Sequence, residues 1–443
     1  MIKRVLVAIN YSLFAITCIA QNVDTIAVRF SKYVSAEGMK KNLTVLASDE
    51  YEGRETGQKG QAMAAEYITN YYKDLGIPPL NNLKEGYQQL YPLAVYNPPE
   101  LKLMINKKAY KQTTDYYSWA NITGDTNITI SDIEFCGYGI NTLVYNDYDK
   151  IDVKNKAVMI LNGEPLRKDG NSIISQSTEP SMWSTNFRTK QAEAKKQGIK
   201  YLIIADTNIA LSYAQQERRV KHNRMAIDNG TALSYPLIIY ISKQMADELL
   251  ASSKQNISSL SDKISSTAKS VHISIKTNME LNLKQGKEKT SAENIMAYIE
   301  GTDLKNELIV ISAHYDHLGI QGGKVYNGAD DDGSGTVAIM QLAKAFQEAK
   351  KQGKGARRSI LFLNFSGEEK GLLGSEYYTD HPVFELSKTV CDLNIDMIGR
   401  IDDAHKGNAN YVYLIGSDKL SSELHKTSEE TNKIYSNLQL DYT

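Results

Sequence analysis

In the last third of this chain, a histidine and a series of carboxylates fall where a divalent cation could be held. The apolar run Glu307–Ser312 leads into Ala313-His314-Tyr315-Asp316-His317. Ser359–Phe365 leads into Ser366-Gly367-Glu368-Glu369, and Val390–Ile395 into Asp396-Met397-Ile398-Gly399-Arg400. Between the first two lies Asn327-Gly328-Ala329-Asp330-Asp331-Asp332-Gly333-Ser334-Gly335. Open α/β sheets place their chemistry at the carboxyl ends of strands. One imidazole and several carboxylates gathered there make a nitrogen and oxygen donor set suited to zinc or a similar ion. Acidic residues after strands also serve as helix caps and turn residues, so one such loop carries little weight. Three in order, with glycines where the backbone must turn, carry much more.

His314 is the evident imidazole ligand. Asp316, two residues on, can accept the second ring N–H and so fix the tautomer. Spacing does not choose among Asp330, Asp331 and Asp332. Glu368 and Glu369 are adjacent, so their side chains diverge in an irregular loop: one can face a water while the other binds metal. Asp396, at the end of its strand, is a further candidate carboxylate ligand. His317 is read as a structural turn residue. Arg400 is read as a salt-bridge partner without a catalytic role.

The set HYDHLG, NGADDDGSG, FSGEEKGLLGS and NIDMIGR resembles the M28 family of co-catalytic dizinc aminopeptidases. Leu46–Gly57, LASDEYEGRETG, followed by a helical run, resembles the start of that family's peptidase domain. The resemblance implies an α/β fold: a phosphorylase/hydrolase-like mixed sheet flanked by helices. It implies metal ligation by His314, Asp331, Glu369 and Asp396, with Asp331 bridging two zinc ions. It also implies that Glu368 is the general base and that Asp316 orients His314. A peptide bond yields to water when a shared, acidified water, a stabilised oxyanion and a proton carrier are brought together, and two ions about 3.5–4 Å apart supply the first two. Peptides are the implied substrates.

The surrounding elements must position these groups. Gln58–Leu75 has Ala62, Ala65, Ile68, Tyr72 and Leu75 at three- and four-residue steps, then Gly76 and Pro78-Pro79 to stop a helix. Gly335–Glu348 is read as a helix whose Val337, Met340, Ala343 and Phe346 face a core. Asn294–Ile299 reads as a strand and Lys284–Lys289 as a solvated loop. From residue 98 to residue 277, short strands (Ile128–Phe135, Ala157–Leu161, Tyr201–Ile204, Leu237–Tyr240) surround one clear helix, Thr189–Gln197. Phe135–Ile151 and Lys156–Pro165 resemble a protease-associated (PA) domain, which implies an inserted β-rich lid or substrate-gating module. The expected organisation is a signal peptide over 1–20, a first peptidase segment over 21–97, the PA-like insert over 98–277 and the catalytic part over 278–443.

With 443 residues and 42% hydrophobic content, the chain can build two real cores. Its formal net charge of −1 gives no basic patch of the kind nucleic acid requires. Met1-Ile2-Lys3-Arg4, then the apolar Val5–Ile19, then Cys18 and Ala20 as small residues before a cleavage point, read as a secretory signal. The expectation is an exported protein with no stable membrane span after cleavage. Cys136 and Cys391 are expected to be free.

The resemblance also calls for one more histidine, well downstream, to complete the ion held by Asp331 and Glu369. His381, His405 and His425 do not fit that role, and the chain ends at Thr443. The sequence is therefore read as a C-terminally truncated fragment of a longer frame, the alternative being a natural end with one weakened metal site or a histidine donated by a partner chain, and its expected behaviour is fewer than two bound ions and weak hydrolysis. Three other functions stay open: a carboxypeptidase of the same scaffold, a single-zinc glutaminyl cyclase (disfavoured by the PA-like insert), and a silent binding protein that keeps the peptidase shape.

Overall fold

The structure is a computed structural model that describes residues 23–118, 124–228 and 236–442. The expected secretory segment lies outside these residues. The chain divides into two compact units. The first gathers the described residues up to Gln89, Glu293–Glu369 and the residues from His381 onward; the second comprises Leu90–Ala292 and Lys370–Asp380. The second unit is thus wider than the 98–277 insert read from the sequence, and it takes in a short piece from beyond Glu369.

In the first unit, three strands run parallel in the order Thr389–Asn394, Leu304–His314, Arg358–Phe365. Ile295–Ile299, the end of the strand Lys287–Ile299, pairs antiparallel with the last of these. The sheet is mixed and flanked by helices, as the sequence analysis expected. The register sets His314 opposite Phe365 and Ser312 opposite Asn394, so all three parallel strands release their loops at one edge. The central strand Arg358–Phe365 is a near-continuous apolar run because both its faces are covered: Ile360–Asn364 is buried throughout, whereas Thr389–Asn394 is largely exposed. Helix Lys59–Asp74 contributes Ala64, Ala65, Ile68 and Tyr72 to the core, and helix Gly333–Lys351 contributes Val337, Ile339, Met340 and Ala343. Phe346 packs against the same cluster. The expected stripe on the first helix is shifted: Ala62 is exposed and Ala64 is buried in its place.

The second unit is built on an eight-stranded sheet. Its central strands Gly124–Cys136, Ala157–Leu161, Tyr201–Asp206 and Leu237–Ser242 run parallel, and antiparallel strands flank them. The four expected strands are present, each extended at one or both ends except Ala157–Leu161. Two expectations fail. The unit holds not one substantial helix but several, including Ile209–Lys221, Lys243–Leu250 and Ile257–Thr267. Lys284–Lys289 is not a solvated loop, since His272–Gln285 and Lys287–Ile299 are strands on either side of Gly286. The alternation of Leu281, Leu283 and Gln285, buried on one face, explains that strand despite its charged outer face. Cys136 and Cys391 are free, as expected.

Gly137-Tyr138-Gly139 closes over a buried carboxylate. Asp147 accepts from the Tyr138 and Ile140 amides at 2.9 and 3.1 Å and from the Tyr145 hydroxyl at 2.6 Å. Lys190, 4% exposed, donates to the Leu161 carbonyl at 2.9 Å and to the Gly163 carbonyl. Burial pulls its ammonium down to about 7 against the opposing pull of Asp147 and Glu164. Below that pH both folded and unfolded chains carry the proton, and the cost of burying the charge is at its greatest. From about 7 towards 10 only the unfolded chain keeps it, so stability rises with pH across that window. We expect the urea midpoint of the protein to rise between pH 7 and pH 9, and Lys190→Met to flatten the rise; equal slopes in the two proteins would contradict this.

Candidate metal centre

Local structure explains why the candidate side chains meet. His314 ends its strand, nearly buried at 4% exposure. Its Nδ1 lies 3.1 Å from the Asp316 main-chain oxygen and 3.6 Å from the Asp316 carboxylate. The carbonyl and the carboxylate of Asp316 both face the ring N–H, the carbonyl being the nearer. The Asp316 carboxylate, fully buried, also accepts from the Thr56 hydroxyl at 2.6 Å and from the Glu368 amide at 3.2 Å. Asp316 thus ties the histidine loop to the glutamate loop. With Nδ1 committed, His314 Nε2 points at carboxylates: Asp331 at 3.2 Å, Asp396 at 3.9 Å and Glu368 at 3.9 Å.

Of the three consecutive aspartates, Asp331 is the one aimed inward. Asp332 caps helix Gly333–Lys351 through the Gly335 amide at 2.9 Å, and it also accepts from the Met397 and His314 amides at 3.2 and 3.3 Å. That buried carboxylate joins the histidine strand, the helix and the Asp396 loop, and burial pushes it up to about 8. Asp330 accepts from the Gly399 amide at 2.8 Å and pairs with Arg400 at 3.0 Å, the salt-bridge role read for Arg400. The peptide between Asp331 and Asp332 is cis.

His317, read from sequence as a structural turn residue, faces the site. Its Nδ1 lies 2.9 Å from Glu369 Oε1. Two groups result, each able to offer one ligand atom per residue within 4.8 Å: His314, Asp331 and Asp396, and His317, Asp331 and Glu369. Asp331 is common to both. Each group is one imidazole and two carboxylates, a donor set that suits zinc. The donor chemistry of both groups fits a divalent cation.

The pocket is electrostatically prepared for positive charge. Burial opposes protonation of His314, yet Asp316 and Asp331 raise its imidazole to about 11. The Asp331 carboxyl is lowered, chiefly by its hydrogen bond to His314. Burial raises both Asp396 and Glu368.

Arg54 was not singled out in the sequence, and it holds the site's loops together. It is 1% exposed and donates to the carbonyls of Tyr315, Leu46, Asn327 and Gly328 at 2.7, 2.6, 2.6 and 2.7 Å. Burial lowers its guanidinium to about 10. Gly328 carries φ +56°, and a Cβ there would meet His317 Cγ at 2.5 Å. We expect Arg54→Met to cost on the order of 3–5 kcal/mol, since it strands several buried acceptors. Arg54→Lys should recover little of this, because one ammonium does not reproduce the planar fork. Urea unfolding of both variants measures it; a loss under about 1 kcal/mol in Arg54→Met would contradict the clamp.

Residues 294–443 match peptidase family M28. This segment is an M28 peptidase domain. Among relatives of the chain, aminopeptidase YwaD of Bacillus subtilis (strain 168) is 32% identical over 121 residues, which is 27% of this chain and 24% of that protein. A probable leucine aminopeptidase 2 of Aspergillus oryzae (strain ATCC 42149 / RIB 40) is 32% identical over 126 residues, 28% of this chain and 23% of that protein. A probable glutamate carboxypeptidase of Arabidopsis thaliana is 31% identical over 105 residues, 24% of this chain and 14% of that protein. The chain spans about a quarter or less of the length of these curated relatives. Among solved structures, an aminopeptidase from Aneurinibacillus sp. strain AM-1 aligns with a TM-score of 0.49 and 18% identity, covering 93% of this chain and 82% of that one. His314, Asp331, Glu368, Glu369 and Asp396 all lie within the M28 segment. Arg54, which clamps its loops, lies outside it.

Proposed function

We propose that this protein is a zinc-dependent exopeptidase that removes N-terminal residues from peptides. The observation that carries the reading is Asp331, shared by two imidazole-containing donor groups, with Glu368 beside His314 and in neither group. His314, Asp331, Asp396 and Glu369 would hold the metal. Bound zinc would polarise the scissile carbonyl and acidify water.

The chain's own residues supply the remainder. The Asp316 main-chain oxygen holds the His314 ring N–H and leaves Nε2 as the donor atom. The Asp316 carboxylate accepts the Glu368 amide and so sets where the Glu368 side chain begins. Burial raises the Glu368 carboxyl above its ordinary value, which suits a group that must both take and give a proton. As water oxygen bonds to the carbonyl carbon, one water proton passes to a Glu368 carboxylate oxygen. As the C–N bond breaks, Glu368 returns that proton to the leaving amine nitrogen.

Export belongs to the same reading, supported by the basic and apolar order of Met1–Ala20. No helix among the described residues is long and apolar enough to cross a membrane. The 98–277 segment is read as the PA-like insert, a module that gates substrate.

The test is a set of matched peptides offered to the zinc-loaded protein. We expect release of the N-terminal residue from free peptides, no release once the α-amine is acetylated, and full cleavage when the C-terminus is amidated. Chelation should stop the reaction and added zinc should restore it. Trimming from the C-terminus instead would establish the carboxypeptidase alternative, and inertness toward every peptide would favour the silent binding protein.

A further inference from the structure

We infer that Thr56 is a positioning residue for Glu368: its hydroxyl pins the Asp316 carboxylate, and the pinned carboxylate sets the main chain from which the Glu368 side chain starts. The inference rests on the peptidase reading and deepens it, because it gives a task in that reaction to a residue outside the segment that matches family M28. Thr56 and Asp316 are both fully buried. The Thr56 hydroxyl donates to Asp316 Oδ2 at 2.6 Å, the short distance of a hydrogen bond to a charged acceptor. Oδ1 is then left to accept the Glu368 amide at 3.2 Å. The last torsion of an aspartate is broad, so a carboxylate held at one oxygen can turn. Held at both, it cannot. The hydroxyl at Oδ2 therefore fixes where Oδ1 stands, and Oδ1 fixes the backbone at Glu368.

Thr56 is itself held on both sides. Before it, Glu55 forms a parallel bridge with His317, whose amide donates to the Arg54 carbonyl at 3.2 Å. After it, Gly57 takes φ +73° and its amide donates to Gln61 Oε1 at 3.1 Å. Gln61 is 1% exposed, near the start of helix Lys59–Asp74. Its Nε2 donates to the Tyr315 hydroxyl, which in turn donates to the Glu293 carbonyl at 2.6 Å. One glutamine thus grips the turn after Thr56 and the residue before Asp316. The hydroxyl and the carboxylate are brought together by that connection. A buried threonine with a purely local role can satisfy its hydroxyl on a carbonyl of the preceding helical turn. Thr56 commits its one donor to a carboxylate 260 residues away, and that carboxylate holds the Glu368 amide.

The test compares the full chain with Thr56→Val, which keeps the shape and removes the donor, and Thr56→Ser, which keeps the donor. Thr69→Val is the control: Thr69 is also buried, but its hydroxyl accepts from Gln88 at 3.3 Å. The first readout needs neither metal nor substrate. It is the NMR signal of the Glu368 amide in 15N-labelled, zinc-free protein. We expect Thr56→Val to move its proton upfield and to speed its exchange about tenfold, with wild-type values in Thr56→Ser and Thr69→Val. The second readout is release of the N-terminal residue from a peptide by zinc-loaded protein. We expect kcat to fall about 10–100-fold in Thr56→Val, with KM and zinc content unchanged, and Thr56→Ser to recover most of it. A Glu368 amide unmoved in Thr56→Val, an unchanged kcat, or a loss that serine does not recover would overturn the inference and leave the peptidase reading standing. A wild type inert toward every peptide, with the amide responding as expected, would overturn the peptidase reading and the catalytic task of Thr56 with it, but not the link from Thr56 to Glu368. If Thr56→Val fails to fold, Thr56→Cys, with a weaker donor, should show the same changes in smaller degree; wild-type values in both readouts would overturn the inference.

Discussion

Glu368→Gln should lower kcat by on the order of 10³-fold or more while zinc content and unfolding midpoint stay at wild-type values. The substitution keeps the shape of the side chain and removes only its ability to carry a proton. Glu368 belongs to neither donor group, so it contributes no ligand. Its tie to Asp316 runs through the main-chain amide, which glutamine retains. An effect confined to KM would instead mark Glu368 as a residue that binds substrate. An unchanged rate would favour the binding-protein alternative, for which this carboxylate has no task.

Asp331→Ala should have the broadest consequence, with zinc falling to near zero and activity lost by on the order of 10³-fold or more. Asp331 is the one carboxylate common to both groups. Its loss leaves each position with one imidazole and one carboxylate, below the ligand count that structural or catalytic zinc takes. Asp396→Ala, by contrast, should empty only the position beside His314. Because a ligand that binds only the folded state stabilises it, the zinc-dependent rise in melting temperature should disappear in Asp331→Ala. In Asp396→Ala it should shrink but persist. Retention of two zinc by Asp331→Ala would contradict the bridging role.

Much of this site was legible before any coordinates. Strand ends carry ligands in a parallel sheet, and apolar runs such as Ser359–Phe365 announce buried strands, so the common edge followed from the sequence. The capping role of Asp332 was within reach for the same reason, because a helix starts at the next residue. Other features lay in tertiary geometry. The choice of Asp331 over its neighbours depends on what Met397, Gly399 and Arg400 bring to Asp332 and Asp330. Arg54 lies more than two hundred residues before the loops it clamps, and no local pattern links them. His317 had a weak local signal, a second imidazole three residues after the first. In a loop that spacing sets no direction, and only the turn held by Arg54 and Gly328 aims the ring at Glu369. The extra helices of the second unit were missed because their apolar residues are sparse: Ile257–Thr267 buries only Ile257, Leu260 and Ile264.

Anomalous diffraction at the zinc edge, on crystals of the zinc-loaded full chain, tests the account most directly. It predicts two peaks about 3.5–4 Å apart on either side of the Asp331 carboxylate, one beside His314 Nε2 and Asp396, the other beside Glu369. Zinc bound elsewhere, or His314, Asp331, Glu369 and Asp396 left uncoordinated in zinc-saturated crystals, would contradict it.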